Sequence, residues 1–487
     1  MVPRRLTLTV AAVTVALASL LAGTARSAVV TAAPPVAPAR PMPVIGSAIT
    51  LLGAHTLDRA LSNLAAAGVD VIRPDFLWQR MEPKPGVYDF SHEDQLVAAA
   101  AKYHIGVVAI LAYGNPAYSS AGGAARDMGL GNGVPPFGVG ATWLYPPDPA
   151  HLPEYRRFAQ AAAQHFAGRV DRWEVWNEEN VGWRFWPPHE DAAAYARVLR
   201  AASDGLRAGN PKAIVSSGGV FFPEVPPGLP EEGGIRYLGH LYDADPRIGD
   251  AIDAVAWHPY PYPFVAPEVD IPANGSVDST VSQVRQLVTA RKSPGEKLWV
   301  TELGWPTHQE YGVTEDRQAA YLARSFAALW TEGADMLVWY TYADGEFGEH
   351  NQEDAFGLFR YDGYAKPSYL ALRTFTALLG GCRADGSVAA ALSLRANERA
   401  LRFACPQGYI TMLWTAAETT TSDYGPLEQT DARREVLVPA HKPAVVVTVT
   451  GRANQYQLNR GRISVEISPS PVYVVDGWWP DPKNRVR

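Results

Sequence analysis

Strand-like runs of β-branched and apolar residues alternate with longer runs of helical period, and this alternation restricts the chain to few folds. The strand-like runs are Val44–Ile49, Val69–Arg73, Gly106–Ala112, Asp171–Asn177, Ala213–Ser217, Ala251–His258, Lys297–Glu302 and Met336–Tyr342. Helical patterns follow each in turn: Leu57–Ala67, His92–Tyr103, Pro153–Phe166, Asp191–Ala208, Ile235–Tyr242, Val281–Arg291, Asp316–Leu329 and Lys366–Leu378. Eight such units predict a (β/α)8 barrel over residues 44–380. A doubly wound open sheet is the rival, but no Gly-rich phosphate loop follows the first strand.

The first 43 residues have the pattern of an export signal followed by a linker. Arg4 and Arg5 precede the apolar run Leu6–Leu21, and small residues follow it. We therefore predict a signal peptide over residues 1–27, a Pro-rich linker over residues 28–43, and a secreted or cell-envelope location. A retained membrane anchor is the alternative, although the run is shorter than the roughly 20 apolar residues that a span requires.

Beyond about Gly381, short alternating segments replace the strand–helix pattern. They are Arg399–Ala404, Tyr409–Trp414, Arg434–Val438, Ala444–Thr450, Ile463–Ile467 and Val472–Val475. With no helical run between them, they predict a β-sandwich over residues 381–487. Cys382 and Cys405 lie near its start, and in an exported protein a disulfide between them is favoured over two buried thiols.

Charge and composition limit the partners. The chain has 43 Lys and Arg against 50 Asp and Glu, a formal charge of −7, and no Lys/Arg-rich run. We therefore expect no nucleic-acid partner. The chain has only two cysteines and no His-x-x-x-His motif, so we expect no metal site and no cofactor. The 14 Trp and 22 Tyr raise the question of whether some of them line a binding groove.

Two glutamates follow strands that face each other across the predicted barrel. Glu178 follows the fourth strand and Glu302 ends the seventh. Functional residues of such barrels lie at these carboxyl-terminal strand ends. Paired carboxylates about 5–5.5 Å apart serve retaining glycoside hydrolysis, one as proton donor and one as nucleophile. Solvated loop glutamates are the plainer interpretation, but the position of both at strand ends amid aromatic residues favours catalysis.

These motifs resemble those of clan A glycoside hydrolases, and family 39 most of all. The specific elements are WEVWNEEN at residues 173–180 and VTELGW at residues 300–305, and the resemblance covers residues 44–378 and the sandwich. It implies that Glu178 is the general acid/base and that Glu302 is the nucleophile. The chain departs from the family's Asn-Glu-Pro pattern at Glu179, which stands in the proline position.

The resemblance, together with the positions of neighbouring residues at strand ends, predicts supporting roles. Asn177 would bind the sugar 2-OH, Tyr260 would donate to the nucleophile, and His258 would lie beside the acid/base. Arg73 would hold Glu302 by a charge-assisted bond, with a structural ion pair as the alternative. Four tryptophans are candidate sugar-binding or supporting residues, although core packing explains Trp339 almost as well: Trp183, Trp186, Trp305 and Trp339.

The first hypothesis is therefore a secreted retaining glycoside hydrolase that acts on a poly- or oligosaccharide and needs no cofactor. A non-catalytic carbohydrate-binding protein of the cell envelope, built on a barrel that has lost activity, is the second. A transglycosylase, in which a sugar acceptor replaces water, is the third.

Overall fold

The computed structural model describes residues 39–119, 144–223 and 232–476, apart from residues 263, 292–294, 311, 349, 407, 417–432 and 442. The predicted signal peptide and the predicted linker up to residue 38 lie outside the described residues. Among the helices that are described, none combines the length and the apolar composition needed to cross a bilayer.

Eight parallel strands close into a barrel. They are β1 (Val44–Ala48), β2 (Val71–Arg73), β3 (Gly106–Ala112), β4 (Arg172–Val175), β5 (Ile214–Ser216), β6 (Ala254–His258), β7 (Lys297–Leu303) and β8 (Met336–Trp339). Each strand pairs with its neighbours in chain order, and the pairing of β8 with β1 closes the ring, with Met336 opposite Val44. The predicted (β/α)8 barrel is therefore confirmed.

One long helix follows each strand and packs outside the barrel. The helices are α1 (Leu57–Ala66), α2 (Ser91–Lys102), α3 (Leu152–His165), α4 (Ala192–Gly209), α5 (Gly234–Ala244), α6 (Ser279–Ala290), α7 (Glu315–Glu332) and α8 (Pro367–Leu379). The side chains of Thr56, Asp191 and Thr314 cap the first turns of α1, α4 and α7. These caps satisfy main-chain N–H groups that have no partner within the helix.

Two apolar layers hold the barrel together. Inside it, apolar side chains of β2, β3, β6, β7 and β8 form one buried cluster: Val71, Val108, Ala254, Ala256, Trp299, Met336 and Val338. Outside it, the apolar faces of the helices pack on the opposite side of the same strands. Because the interior is filled by side chains, the open end formed by the strand-following loops is where a ligand can enter.

Antiparallel strands form the predicted sandwich, which is also confirmed. They are β9 (Arg383–Ser387), β10 (Glu398–Cys405), β11 (Gly408–Thr415), β12 (Arg434–Pro439), β13 (Ala444–Thr448), β14 (Ala453–Tyr456), β15 (Arg462–Ile467) and β16 (Val472–Val475). Strands β12 and β15 form a two-stranded sheet, and the others belong to a larger one. Val436 and Ile463 of the small sheet share an apolar core with Leu413 and Val446 of the large sheet.

The start of the described chain belongs to the sandwich. A short strand, Arg40–Pro41, pairs with Arg383 and Ala384 at the edge of the large sheet. The segment is extended, as its proline content predicts, but it pairs with a sheet instead of being a free linker. Proline is tolerated there because an edge strand need not donate every N–H group. Cys382 and Cys405 form a disulfide beside this edge.

Candidate active site

Glu178 lies on the loop that leaves β4, in a backbone conformation that the surroundings impose. Trp176 and Glu178 have φ angles of 74° and 46°, in the left-handed region. Such conformations are costly for residues other than glycine and persist where neighbouring structure fixes them. The Glu178 N–H donates to the Gly219 carbonyl at 3.1 Å. The Asn180 side chain accepts from the Phe221 N–H at 2.9 Å and donates to the Phe221 carbonyl at 2.7 Å.

Glu302 lies at the end of β7, where two donors fix both oxygens of its carboxylate. The Arg73 Nη1 donates to Oε1 at 2.6 Å, and the Tyr260 hydroxyl donates to Oε2 at 2.8 Å. The Glu302 side chain is buried and has lost its hydration, and these two hydrogen bonds compensate the ionised carboxylate for that loss.

The two glutamates face each other across His258. One side-chain oxygen of each and an imidazole nitrogen lie within 4.8 Å of one another. His258 Nδ1 is 2.8 Å from Glu178 Oε1 and 3.7 Å from Glu302 Oε2, and Nε2 is 3.1 Å from the Thr301 hydroxyl. A Cβ at Gly219 would lie 2.0 Å from His258 Nε2, so only glycine fits beside the imidazole.

Arg73 connects the nucleophile candidate to the residues around the acid/base. Its guanidinium donates to Glu174 from Nε at 3.0 Å and from Nη2 at 2.6 Å, and to the Asn177 Oδ1 at 2.7 Å. Because the Asn177 oxygen is occupied by Arg73, its amide N–H groups remain as donors for a ligand. Glu174 is fully buried and also accepts from the Gly219 N–H at 3.0 Å.

The surroundings shift the pKa values of the two glutamates in opposite directions. Burial raises the pKa of Glu178, and the charge of Glu302 adds to the rise against the opposing effect of His258. Burial alone would also raise the pKa of Glu302, but the charges of His258 and Arg73 and the hydrogen bonds from Tyr260 and Arg73 hold it below its usual value. Glu178 is therefore the more readily protonated carboxyl group of the pair and Glu302 the more readily ionised one, which is the order that an acid and a nucleophile need.

The predicted tryptophans occupy different environments. Trp183 is 43% exposed on a short helix, Gly182–Phe185, that follows the acid/base loop. The other three are buried. Trp186 packs against Trp176, and Trp305 stacks on Trp339, with 6.1 Å between the ring centroids.

Tyr340, which follows Trp339 directly after β8, lies close enough to the two glutamates to feel their charges. It is partly exposed, whereas Trp339 is enclosed and donates its indole N–H to the Phe356 carbonyl at 3.3 Å. Burial raises the pKa of Tyr340 well above its usual value, and the charge of Glu353, followed by those of Glu302 and Glu178, contributes to the rise. Side chains alternate between the two sides of an extended chain, so a shift of one residue separates a site residue from a core residue.

Reasoning from sequence missed Glu174, Tyr340, Thr301 and Asn180 as residues of this site. Glu174 and Thr301 lie within the motifs that carry the resemblance, and their position near a strand end was a usable signal. Asn180 binds a loop that follows a different strand, and nothing in the sequence indicates that contact.

Glu178, His258 and Glu302 are the one group of three possible metal ligands in the described part of the chain. A divalent ion among them would lie close to the Arg73 guanidinium, which already neutralises Glu302 at 2.6 Å. The site is therefore better matched to a proton donor and a nucleophile than to a resident cation.

Several solved structures of glycosidases share this fold. A family 39 glycoside hydrolase from the gut symbiont Bacteroides cellulosilyticus WH2 is 22% identical, with a TM-score of 0.66, over 90% of this chain and 81% of that chain. A family 39 enzyme from Xanthomonas axonopodis pv. citri is 17% identical, with a TM-score of 0.59, over 90% and 95% of the two chains. A family 39 β-xylosidase from Caulobacter crescentus is 18% identical, with a TM-score of 0.55, over 90% and 98%.

Comparison with protein-family models and with curated proteins gave no match. At the identities above, the structural likeness shows a shared fold. The fold that the resemblance to clan A implied is therefore confirmed.

Proposed function

We propose that the protein is a retaining glycoside hydrolase that cleaves a poly- or oligosaccharide by double displacement. The observation that carries the proposal is the pair of buried carboxyl groups, Glu178 and Glu302, whose oxygens approach within 4.8 Å at the mouth of the barrel. Retaining enzymes need carboxyl groups about 5–5.5 Å apart, whereas inverting enzymes need about 6.5–9.5 Å to admit a water molecule.

In the first step, Glu302 attacks the anomeric carbon while Glu178 gives its proton to the departing glycosidic oxygen. A covalent glycosyl–enzyme forms, and the leaving group departs as an alcohol. Esterification removes the negative charge of Glu302, one of the causes that raise the pKa of Glu178. Glu178, ionised since it gave up its proton in the first step, now takes a proton from water, and the resulting hydroxide displaces the sugar from Glu302.

The surrounding residues support these roles. Arg73 and Tyr260 orient the Glu302 carboxylate and favour its ionised form. Burial raises the pKa of Tyr260 well above its usual value, with a contribution from the charge of Glu302, so the phenol remains a hydrogen-bond donor. The Asn177 amide is positioned by Arg73 to donate to the sugar 2-OH.

Exposed aromatic rings on the strand-following loops favour a substrate of several sugar units. Trp183 follows β4, Tyr262 follows β6 and Phe347 follows β8, and they are 43%, 55% and 61% exposed. Exposed rings of this size offer flat apolar faces for the C–H faces of sugars. A polymeric substrate is consistent with the predicted signal peptide, and sequencing the mature amino terminus of the protein from its native host would test the export.

The nucleophile is tested by Glu302→Ala. We expect the variant to lose hydrolysis of nitrophenyl glycosides, and we expect azide to restore turnover with a glycosyl azide of inverted configuration as product. Azide would occupy the space left by the carboxylate and attack the same carbon once. Full activity without azide would contradict the assignment.

The acid/base is tested by Glu178→Ala on a series of leaving groups. We expect a loss of about 10²–10⁴-fold for alkyl glycosides, which need a proton, and a much smaller loss for dinitrophenyl glycosides, which do not. Equal losses across the series would contradict the role. A wild-type protein that binds saccharides without hydrolysing any of them would favour the non-catalytic alternative.

A further inference from the structure

A third carboxyl group, that of Asp75, lies at the mouth of the barrel and has no part in the two displacement steps. Asp75 begins a short strand, Asp75–Leu77, that pairs in parallel with β3. Alternation along the extended chain directs Asp75 to the same side as Arg73 and away from Phe76, which is buried against the helices. The Asp75 side chain therefore faces the barrel mouth.

The charges around Asp75 are those of the catalytic centre. Burial raises the pKa of Asp75 to about 6, and the charges of Glu302 and Glu174 add to the rise, whereas Arg73 and Arg80 oppose it. Directly after the neighbouring strand β3 lies Tyr113, whose pKa is raised well above its usual value by burial and then by the charge of Asp75. Asp75 therefore shares one electrostatic environment with the proposed nucleophile.

Asp75 differs from Glu174, the other supporting carboxylate, in its hydrogen bonds. Glu174 is fully buried and accepts from Arg73 twice and from the Gly219 N–H. Asp75 is partly exposed, and within the described residues its side-chain oxygens accept no hydrogen bond and join no ion pair. A carboxylate can accept about four hydrogen bonds, so the Asp75 carboxylate has acceptor positions left for a ligand at the mouth of the barrel.

We propose that Asp75 is a substrate-binding residue that accepts hydrogen bonds from hydroxyl groups of the sugar unit held between Glu178 and Glu302. This inference rests on the proposed glycosidase function and names a specificity determinant for it. Hydroxyl groups are the donors that a sugar offers, and hydrogen bonds to an ionised acceptor are roughly twice as strong as neutral ones.

The charge balance also specifies the class of sugar. Arg73 is shared by Glu174 and Glu302, so the carboxylates already outnumber the guanidinium, and ionised Asp75 adds a further negative charge. Arg184, the other cation near the acid/base, is paired with Glu353. A carboxylate on the bound sugar would be repelled, and we therefore expect a neutral glycosyl unit in preference to a uronic acid.

The test compares Asp75→Ala and Asp75→Asn with Asp270→Asn, which removes an exposed carboxylate from the loop after β6. The substrates are the nitrophenyl glycoside that the wild type hydrolyses fastest, its monodeoxy analogues and the matching uronide. We expect Asp75→Ala to lower kcat/KM about 10- to 100-fold on the parent glycoside and less than about threefold on the analogue that lacks the bound hydroxyl. Asp270→Asn should leave kcat/KM unchanged, and the uronide should be the poorer substrate of the wild type.

The pH dependence of KM provides a readout that a purely structural role would not move. The ionised carboxylate is the stronger acceptor, so the wild-type KM should fall as the pH rises through about 6. In Asp75→Asn, which keeps the shape of the side chain, that change should disappear.

Equal losses of kcat/KM on the parent and on every deoxy analogue would overturn the inference. Wild-type hydrolysis with full activity in Asp75→Ala would overturn this inference and leave the proposed function standing. A wild-type protein that is inactive on every glycoside would overturn both.

Discussion

At the scale of single residues, Glu179 places a second carboxyl group directly behind the proposed acid/base. It is fully buried, and within the described residues neither of its oxygens has a hydrogen-bond partner. Burial raises the pKa of Glu179 well above its usual value, and the charges of Glu174 and Glu178 add to the rise. A Cβ at Gly218 would lie 2.1 Å from the Glu179 Oε2, so the neighbouring loop encloses the carboxyl group.

We predict that Glu179→Gln becomes progressively more stable than the wild type as the pH rises. Folded Glu179 keeps its proton above about pH 4.3, where an unfolded glutamate releases it. The unfolded state then binds fewer protons, so the wild-type free energy of unfolding falls by up to about 1.4 kcal/mol per pH unit until the folded pKa is reached. Glutamine does not ionise, so the free energy of unfolding of Glu179→Gln lacks this pH dependence. Urea unfolding of the wild type and of the variant at pH 5 and pH 7 measures the difference between their free energies of unfolding.

Glu310→Gln is the matched control, because that side chain is exposed. A Glu179→Gln difference that is the same at both pH values would show that Glu179 is ionised in the folded protein. Sequence reasoning identified Glu179 as a departure from the family pattern, but the burial of a side chain at a strand end depends on loops that are distant in sequence.

At the scale of elements, the loop after β5 connects the two halves of the site. The Gly219 N–H donates to Glu174, and the Gly219 carbonyl accepts from the Glu178 N–H. The lack of a side chain lets this loop approach His258, as the 2.0 Å distance from a Cβ to Nε2 shows. The position of the acid/base therefore depends on an element that supplies no catalytic side chain.

We predict that Gly219→Ala lowers kcat by about 10²-fold while the protein still folds, because a displacement of about 1 Å at the reacting groups has that effect. The control is Gly239→Ala on α5, where a Cβ meets nothing within 4 Å and should add about 0.5–1 kcal/mol of stability. Steady-state kinetics and thermal melting of both variants provide the measurements. Unchanged kcat in folded Gly219→Ala would contradict the positioning role.

The elements themselves were largely predictable, and their contacts were not. All eight barrel strands were expected close to their observed positions, because β-branched runs and helical periods are local signals. The short strand Asp75–Leu77 was missed, since it follows Pro74 within a segment that has no separate strand signal. Whether an aromatic residue such as Trp305 stacks on a sugar or packs in the core depends on the direction of its side chain, which sequence leaves undetermined.

At the scale of the whole molecule, a buried ion pair joins the barrel to the sandwich. Arg324 of α7 pairs with Glu268 of the loop after β6, with 2.9 Å between Nε and Oε1, and it donates to the Pro469 carbonyl at 3.2 Å. The Trp414 indole of β11 donates to the same Glu268 oxygen at 2.7 Å. Because the loop that begins with Tyr260 contains Glu268, the sandwich helps to fix a loop of the proposed active site.

We predict that Trp414→Phe destabilises the protein by about 1.5–3 kcal/mol more than Trp173→Phe does. Both tryptophans are buried and lose the same volume, but the Trp173 Nε1 has no hydrogen-bond partner among the described residues. The difference therefore isolates a hydrogen bond to a buried charge. Urea unfolding of the two variants measures it, and equal losses of stability would show that the Trp414 indole contributes only its packing to the contact between barrel and sandwich.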